Sequence, residues 1–311
     1  MWKNFKALFF GVLAVFLFAL TACGGGSGSG GSGTCNWTPR TSGTTNILYG
    51  VAFGNNTFVA VGLNGAVITS SNNGVSWGPG NSGTTQTLLA VVYGNSTFVA
   101  VGTGGTVITS TNNGSTWASQ TSGTPNDLLG ITYDNNTFVA VGKSGTILTS
   151  SNGTSWTLQT SGTTEDLYDV VYGNAVFVAV GTNGKVFTST NGGSWAPQTS
   201  GTTAKLSGVA FGNNTFVAVG DNGTVRISTD NGLTWTSPWL SPPPTQNLYG
   251  VTYANGVFIA VGHNGTIFRS VNNGLIWTQD TSPITNVLFS VSHGNNTFVI
   301  VGDSGKVLTC P

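Results

Sequence analysis

Apolar and polar residues alternate along this chain in short runs, with no helical arcs in the repeating part. From residue 41 onward the runs recur with a period near 40 residues. The unit beginning Thr41-Ser42-Gly43 returns at Asn81, Thr121, Thr160, Thr199, Ser241 and Thr281. Each copy holds four strand-length segments bounded by turn-forming residues. In the first copy the expected strands are 48–53, 57–61, 66–70 and 75–78, separated by Gly54-Asn55-Asn56, by 62–65 and by Ser71-Asn72-Asn73-Gly74. Asn and Gly supply the positive-φ positions that tight hairpins need. Four strands per repeat of this length predict an all-β chain folded as a seven-bladed β-propeller of four-stranded antiparallel blades.

Aromatic residues hold a fixed register through the repeats. The first strand ends on Phe53, Tyr93, Tyr133, Tyr172, Phe211, Tyr253 and His293, and the second carries Phe58, Phe98, Phe138, Phe177, Phe216, Phe258 and Phe298. The fourth supplies Trp77, Trp117, Trp156, Trp195, Trp235 and Trp277. These series are expected to fill the wedges between blades, with His293 in the core like the aromatics it replaces. The last copy stops after its third strand, at Leu308-Thr309-Cys310-Pro311, and the missing fourth strand stands at the other end as Cys35-Asn36-Trp37-Thr38. A seventh blade shared by both ends predicts a closed ring, which removes exposed sheet edges. Aligned to the first copy, Cys310 falls on Ser70 and Cys35 on Val75, either side of one hairpin turn. An exported chain would join them as a disulfide.

Export follows from the residues before the repeats. Lys3 and Lys6 precede an apolar stretch, 7–20, that is short for a membrane span but of signal-peptide length. It ends Leu20-Thr21-Ala22-Cys23, which resembles the lipobox of bacterial lipoproteins. The expected organisation is a lipoprotein signal peptide at 1–22, a lipidated Cys23 with a Gly/Ser tether at 23–34, and the propeller at 35–311. Residues 24–34 would hold the domain about 18 Å from the lipid as a flexible coil. Gly24 after the cysteine points, by resemblance to enterobacterial sorting, to the outer membrane or cell surface.

Composition narrows the function. Charged residues make up 6% of the chain, and removing Lys3 and Lys6 leaves seven basic and nine acidic residues. Without a basic face, nucleic acid is not an expected partner. The turn before each Trp identifies the family. Ser228-Thr229-Asp230-Asn231-Gly232-Leu233-Thr234-Trp235 matches the bacterial neuraminidase repeat, or Asp-box, at every fixed position, and the other complete copies vary it, mostly with Asn for Asp. Its Asp or Asn caps backbone N–H groups of the turn and its Gly takes positive φ, so the motif serves folding. Within this superfamily the run V-x-Y-G-N-x-x-F-V-A-V-G-x-x-G is similar to propellers related to photosystem II assembly factors. That resemblance implies a membrane-associated assembly role, carried in the photosynthetic members by an Arg-rich patch that this chain lacks. The sialidase relatives imply three arginines around a carboxylate. Here only Arg40, Arg226 and Arg269 remain after the leader, and Arg226 and Arg269 align near the Asp-box end.

Candidate binding residues lie where the repeats disagree. The loop between the second and third strands reads Leu63, Thr103, Lys143, Thr182, Asp221, His263 and Asp303 at one position. The connection between blades varies too, with Asp127, Glu165, Asp166 and Lys205 among its residues. Both connections emerge on one face, so diversity there fits a binding surface. Asp169 replaces a small residue and is expected to face the central channel. The acidic group Asp127, Glu165, Asp166 and Asp169 has oxygen ligands of the kind Ca²⁺ takes, but its spacing matches no known loop, and no metal or cofactor is assigned. No catalytic set is evident. The expected function is a monomeric, membrane-anchored, non-enzymatic module that recognises a protein or glycan. The alternatives are a carbohydrate-active propeller, lectin or hydrolase, and an assembly factor for a membrane complex.

Overall fold

The computed structural model describes residues 35–241 and 244–311; the expected leader, Cys23 and the tether lie outside the described residues. Seven sheets form the ring, antiparallel except for one strand added in parallel to blade six. In blade one the strands are Leu48–Gly54, Thr57–Gly62, Val67–Ser70 and Gly78–Pro79. The first three match their expected bounds to within a residue. The fourth does not: in the blades where it forms after an Asp-box it begins beside or just beyond the Trp, as at Ala118–Gln120 and Ile276–Gln279. Val75 and Ser76 belong to the turn, because the Ser76 N–H is held by the Asn72 side chain at 3.0 Å and is not available to a ladder.

Each second strand, such as Thr57-Phe58-Val59-Ala60-Val61-Gly62, is buried on both faces. Phe58 and Ala60 pack with residues of blade seven, while Val59 and Val61 join Leu88, Val91 and Phe98 of blade two. Seven such clusters lie between seven blades, so every blade has two neighbours and the ring is closed. Closure is made by Thr38–Arg40, which pairs with the last strand in the register Thr38↔Thr309, Pro39↔Leu308 and Arg40↔Val307. Cys35 and Cys310 are disulfide-bonded with Cα atoms 5.8 Å apart, as the alignment predicts.

The turn chemistry behaves as the sequence implies. Asn55 and Asn56 take φ of 45° and 57° in the hairpin between strands one and two. Gly54 lies under a ring: a Cβ there would meet Tyr93 Cγ of the next blade at 2.0 Å. The aromatic ending each first strand thus covers the preceding blade and packs on its own blade's Phe, as in Tyr93–Phe98 at 4.7 Å between centroids. These rings are half-buried. His293 follows them, resting on Phe298 at 4.7 Å and reaching Asn255 at 3.2 Å; it sits at the rim, half-buried, and not in the core. Burial holds its imidazole below the usual pKa. The Trp series is also less buried than expected: Trp37, Trp235 and Trp277 are core, and the other four are half-exposed.

Blade five departs from the repeat. Its outer strand is reduced to one bridge, Ile227↔Thr236, because Pro238 lacks the N–H that would continue the ladder. The chain instead crosses to blade six, where Trp239–Ser241 pairs in parallel with Ile276–Gln279, in the register Trp239↔Ile276 and Leu240↔Trp277.

Candidate functional site

The blade-to-blade connections and the turns between strands two and three share one face, as expected: Leu63 N–H donates to Ile47 O, and Lys143 N–H to Asp127 O. On the opposite face the hairpin Asn55 side chain bonds the Asp-box Asn113 at 2.8 Å. The Asp-box turns are built alike. Ser70 Oγ accepts from Gly74 N–H, and Trp77 Nε1 donates to Gly74 O at 3.0 Å. At Asp230 burial opposes ionisation, but bonds from Thr234 and Ser228 outweigh it and hold the carboxyl below the usual range.

On the variable face most of the expected charges are clamps. Asp127 pairs with Lys143 at 2.7 Å and accepts from Gly104 N–H of the preceding blade at 2.9 Å. These contacts, the Lys143 bond first, lower the Asp127 pKa and raise that of Lys143. Asp166 accepts from Ser144 N–H at 2.9 Å in the same way, and Glu165 from Asn183 at 3.2 Å. Lys205 and Asp221 occupy the positions of Asp127 and Lys143 with the charges reversed, 3.4 Å apart. The acidic group therefore does not converge on one point: Asp127 and Asp166 approach the Lys143–Gly145 turn from opposite sides, Glu165 serves the turn at Asn183, and Asp169 faces the channel. Among the described residues no cluster of three metal-ligating side chains occurs. His263 and Asp303 head the corresponding turns of blades six and seven.

Asp169 lines the channel, as expected, in a cavity of about 160 Å³. Its oxygens accept from Val170 N–H and, across the blade boundary, from Val209 N–H, both at 2.9 Å. Burial raises its pKa to about 7 against those two bonds. Part of its surface remains open to the channel, and protein closes round it on every other side.

At the channel mouth lies a ring that sequence reasoning missed: Tyr49, Leu89, Leu129, Tyr168, Ser207, Tyr249 and Phe289. In blade one the register shifts between Leu48 and Gly50, so Tyr49 is the extra residue of a bulge and turns to the mouth. The signal was present, since this position varies beside a constant Leu. Tyr49 and Tyr249 flank Phe289, with centroids 5.1 and 5.5 Å away. Burial first, and then the charge of Asp303, raise the Tyr49 pKa. Across the mouth Lys205 Nζ stands 5.1 Å above the Tyr168 ring. The face thus has an aromatic arc on blades six, seven and one, and a charged side on blades three to five. The arginines are scattered: Arg40 bonds Thr309, Arg226 bonds Gly201 O, and Arg269 bonds Asp280.

Comparison with known proteins agrees with this architecture. No curated protein matches the chain. YCF48 from Cyanidioschyzon merolae is 18% identical, with 88% of this chain and 98% of that one covered and a TM-score of 0.71. A structure of YCF48 bound to D1 peptide is 17% identical, covering 88% and 94%, with a TM-score of 0.73. The WD40 propeller domain of Doa1 shares 12% identity over 89% of this chain and 97% of its own, at 0.69. These likenesses show the fold. The family profile described as photosynthesis system II assembly factor YCF48 matches residues 32–310. The chain belongs to that family.

Proposed function

We propose that this propeller is a non-catalytic assembly factor that holds an extended peptide segment of a client protein across its channel mouth, while a lipid on Cys23 tethers it at the cell envelope. Family membership and the relative bound to D1 peptide favour this reading over a general glycan-or-protein scaffold. The single observation that carries it is the arc of Tyr49, Phe289 and Tyr249 on the variable face. Packed, half-buried rings offer an apolar anchor with little rotamer entropy to lose, and such residues dominate peptide and protein interfaces. On the charged side Lys143, half-exposed in its pair with Asp127, would meet polar groups beside that anchor. Because the arginines are dispersed, the client is recognised through aromatic packing and not through a basic patch.

Overlapping peptides from the exposed termini and loops of the host's membrane proteins, arrayed beside glycans, test this with the mature chain as probe. Peptide binding is expected, weakened roughly 30-fold (about 2 kcal/mol) by Tyr49→Ala or Phe289→Ala with the melting temperature kept. Binding confined to glycans, or peptide binding indifferent to both changes, overturns the assignment.

A further inference from the structure

The Asp-box turn of blade six differs from its six-fold pattern in one direction. Where the other complete boxes carry Ser71, Thr111, Ser151, Thr190 and Thr229, blade six has Val271. Where they carry Ser76, Thr116, Ser155, Ser194 and Thr234 before the Trp, it has Ile276. Ser76 and Thr116 accept hydrogen bonds from their box Asn at 2.8 Å, which Ile276 cannot do. Neither replacement is buried, Val271 being 54% and Ile276 49% exposed, and between them Leu275, apolar like Val75 and Leu233 of other boxes, is 53% exposed. Polar turn contacts have been exchanged for apolar surface that does nothing for the core.

The crossing segment from blade five enlarges the same surface. Trp239 N–H donates to Leu275 O at 3.0 Å, and Trp239 stands beside Ile276 in the parallel register. Side chains alternate along that pair. Leu240 and Trp277 turn inward to the core, while Trp239, 70% exposed, faces outward with Ile276. Residues 236–241 and 270–279 contain no charged side chain. The result is a neutral apolar patch headed by an indole, running from the Asp-box turn onto the flank of blade six.

Its occupant follows from where the tether enters. Cys35 is joined to Cys310 at the Asp-box end of blade seven and packs against the core cluster that blade seven shares with blade six. The chain between Cys23 and Cys35 reaches at most about 40 Å when fully extended. An anchor at Cys23 therefore keeps the Asp-box end of the ring, where the tether enters, within reach of the bilayer, and blade six with it. Indole and aliphatic side chains suit the headgroup boundary, where the guanidinium of Arg226, bonded to Ser237 beside them, can meet lipid phosphates. Edge pairing with a second copy is disfavoured, since prolines at 238 and 242–244 flank the added strand. We propose that Trp239, Val271, Leu275 and Ile276 form a membrane-interface patch that seats the Asp-box end of blade six on the bilayer and turns the channel mouth away from it. This rests on the lipid-anchor reading above.

The mature chain from Cys23, in phosphatidylethanolamine–phosphatidylglycerol vesicles with brominated acyl chains, tests it. Flotation of the wild type against Cys23→Ala reads the anchor separately. If the chain carries no lipid that reading fails, and a lipid coupled through maleimide at Cys23 restores the tether so that the patch is still read. Brominated lipid is expected to quench part of the indole emission, and Trp239→Phe to lose that quenched part. The combined Val271→Ser, Leu275→Ser and Ile276→Ser variant, which keeps Trp239, is expected to lose most of it. Equal quenching in wild type and Trp239→Phe, or none in either, overturns the patch. A dimer in solution that these changes dissolve assigns the surface to a second copy and overturns it as well.

Discussion

Among the described residues that line the channel Asp169 is the one carboxylate, at a position where the other blades carry Gly, Ala or Ser. Its carboxyl titrates near pH 7 in the folded chain because burial disfavours the anion, against an ordinary value of 3.8. Between those values the folded chain binds more protons than the unfolded one, so this group's contribution falls as pH rises from about 4 to 7 and is flat above. The shift corresponds to about 4 kcal/mol at most, and the partial exposure of Asp169 reduces it to the order of 1–2. Asp169→Ser is expected to flatten this slope and to be the more stable chain at pH 8, as urea titrations across pH would read. Asp127 works the other way, its pKa lowered by Lys143 and by Gly104 N–H, so its support is lost only in acid below about pH 4. Asp127→Ala is expected to cost about 1 kcal/mol or less at pH 7, because the pair is solvated. Both acids are visible in the sequence, but their opposite titration is not: it depends on the burial of Asp169 at the channel and on Lys143 standing beside Asp127.

At the scale of strands and turns, the closing blade replaces an Asp-box turn with a covalent link. Trp37 has no box glycine to bond, and its Nε1 donates to Asp280 of blade six at 3.3 Å, where Arg269 also binds. Reducing the disulfide, or changing Cys35→Ser, is expected to lower stability by about 2–5 kcal/mol by freeing a long loop in the unfolded chain. Urea titrations with and without reductant check it, and the Ser variant should be indifferent to reductant. Trp277 is fully buried, whereas Trp77 is half-exposed, so Trp277→Ala should cost about 3–5 kcal/mol and Trp77→Ala distinctly less. The first three strands and the positions of the turns between them are legible because Asn, Gly and alternating Val and Phe act locally. The late start of the fourth strand was not, since it depends on the Asn72 side chain claiming the Ser76 N–H. Nor was the crossing of Trp239–Ser241 to blade six, which needs Pro238 to end one ladder and Ile276 to offer another.

For the molecule as a whole, the two faces divide the work. One presents the aromatic arc and paired charges around the channel, and the other carries the Asp-boxes, the disulfide and the exposed apolar turn of blade six. A lipid at Cys23 and the patch at Trp239 would act together to fix which face meets a client. With the tether left in place, the combined Val271→Ser, Leu275→Ser and Ile276→Ser variant is therefore expected to keep peptide affinity in solution and to change only the orientation on vesicles. Limited proteolysis of the Asp-box turns in the presence and absence of vesicles would read that change.

Seven blades, a ring closed through both ends, the Cys35–Cys310 link and the unequal faces all follow from the sequence, because a repeat states the same local rules seven times and its broken copy marks the join. What the tertiary structure decided is what each variable side chain touches. Asp127, Asp166 and Lys205 became clamps because their connections abut neighbouring turns. Tyr49, Tyr249 and Phe289 became a surface because a bulge in each first strand turns them to the mouth of the channel. Local propensity fixes the blade, but only the packing of blade against blade determines which residues are left free to bind.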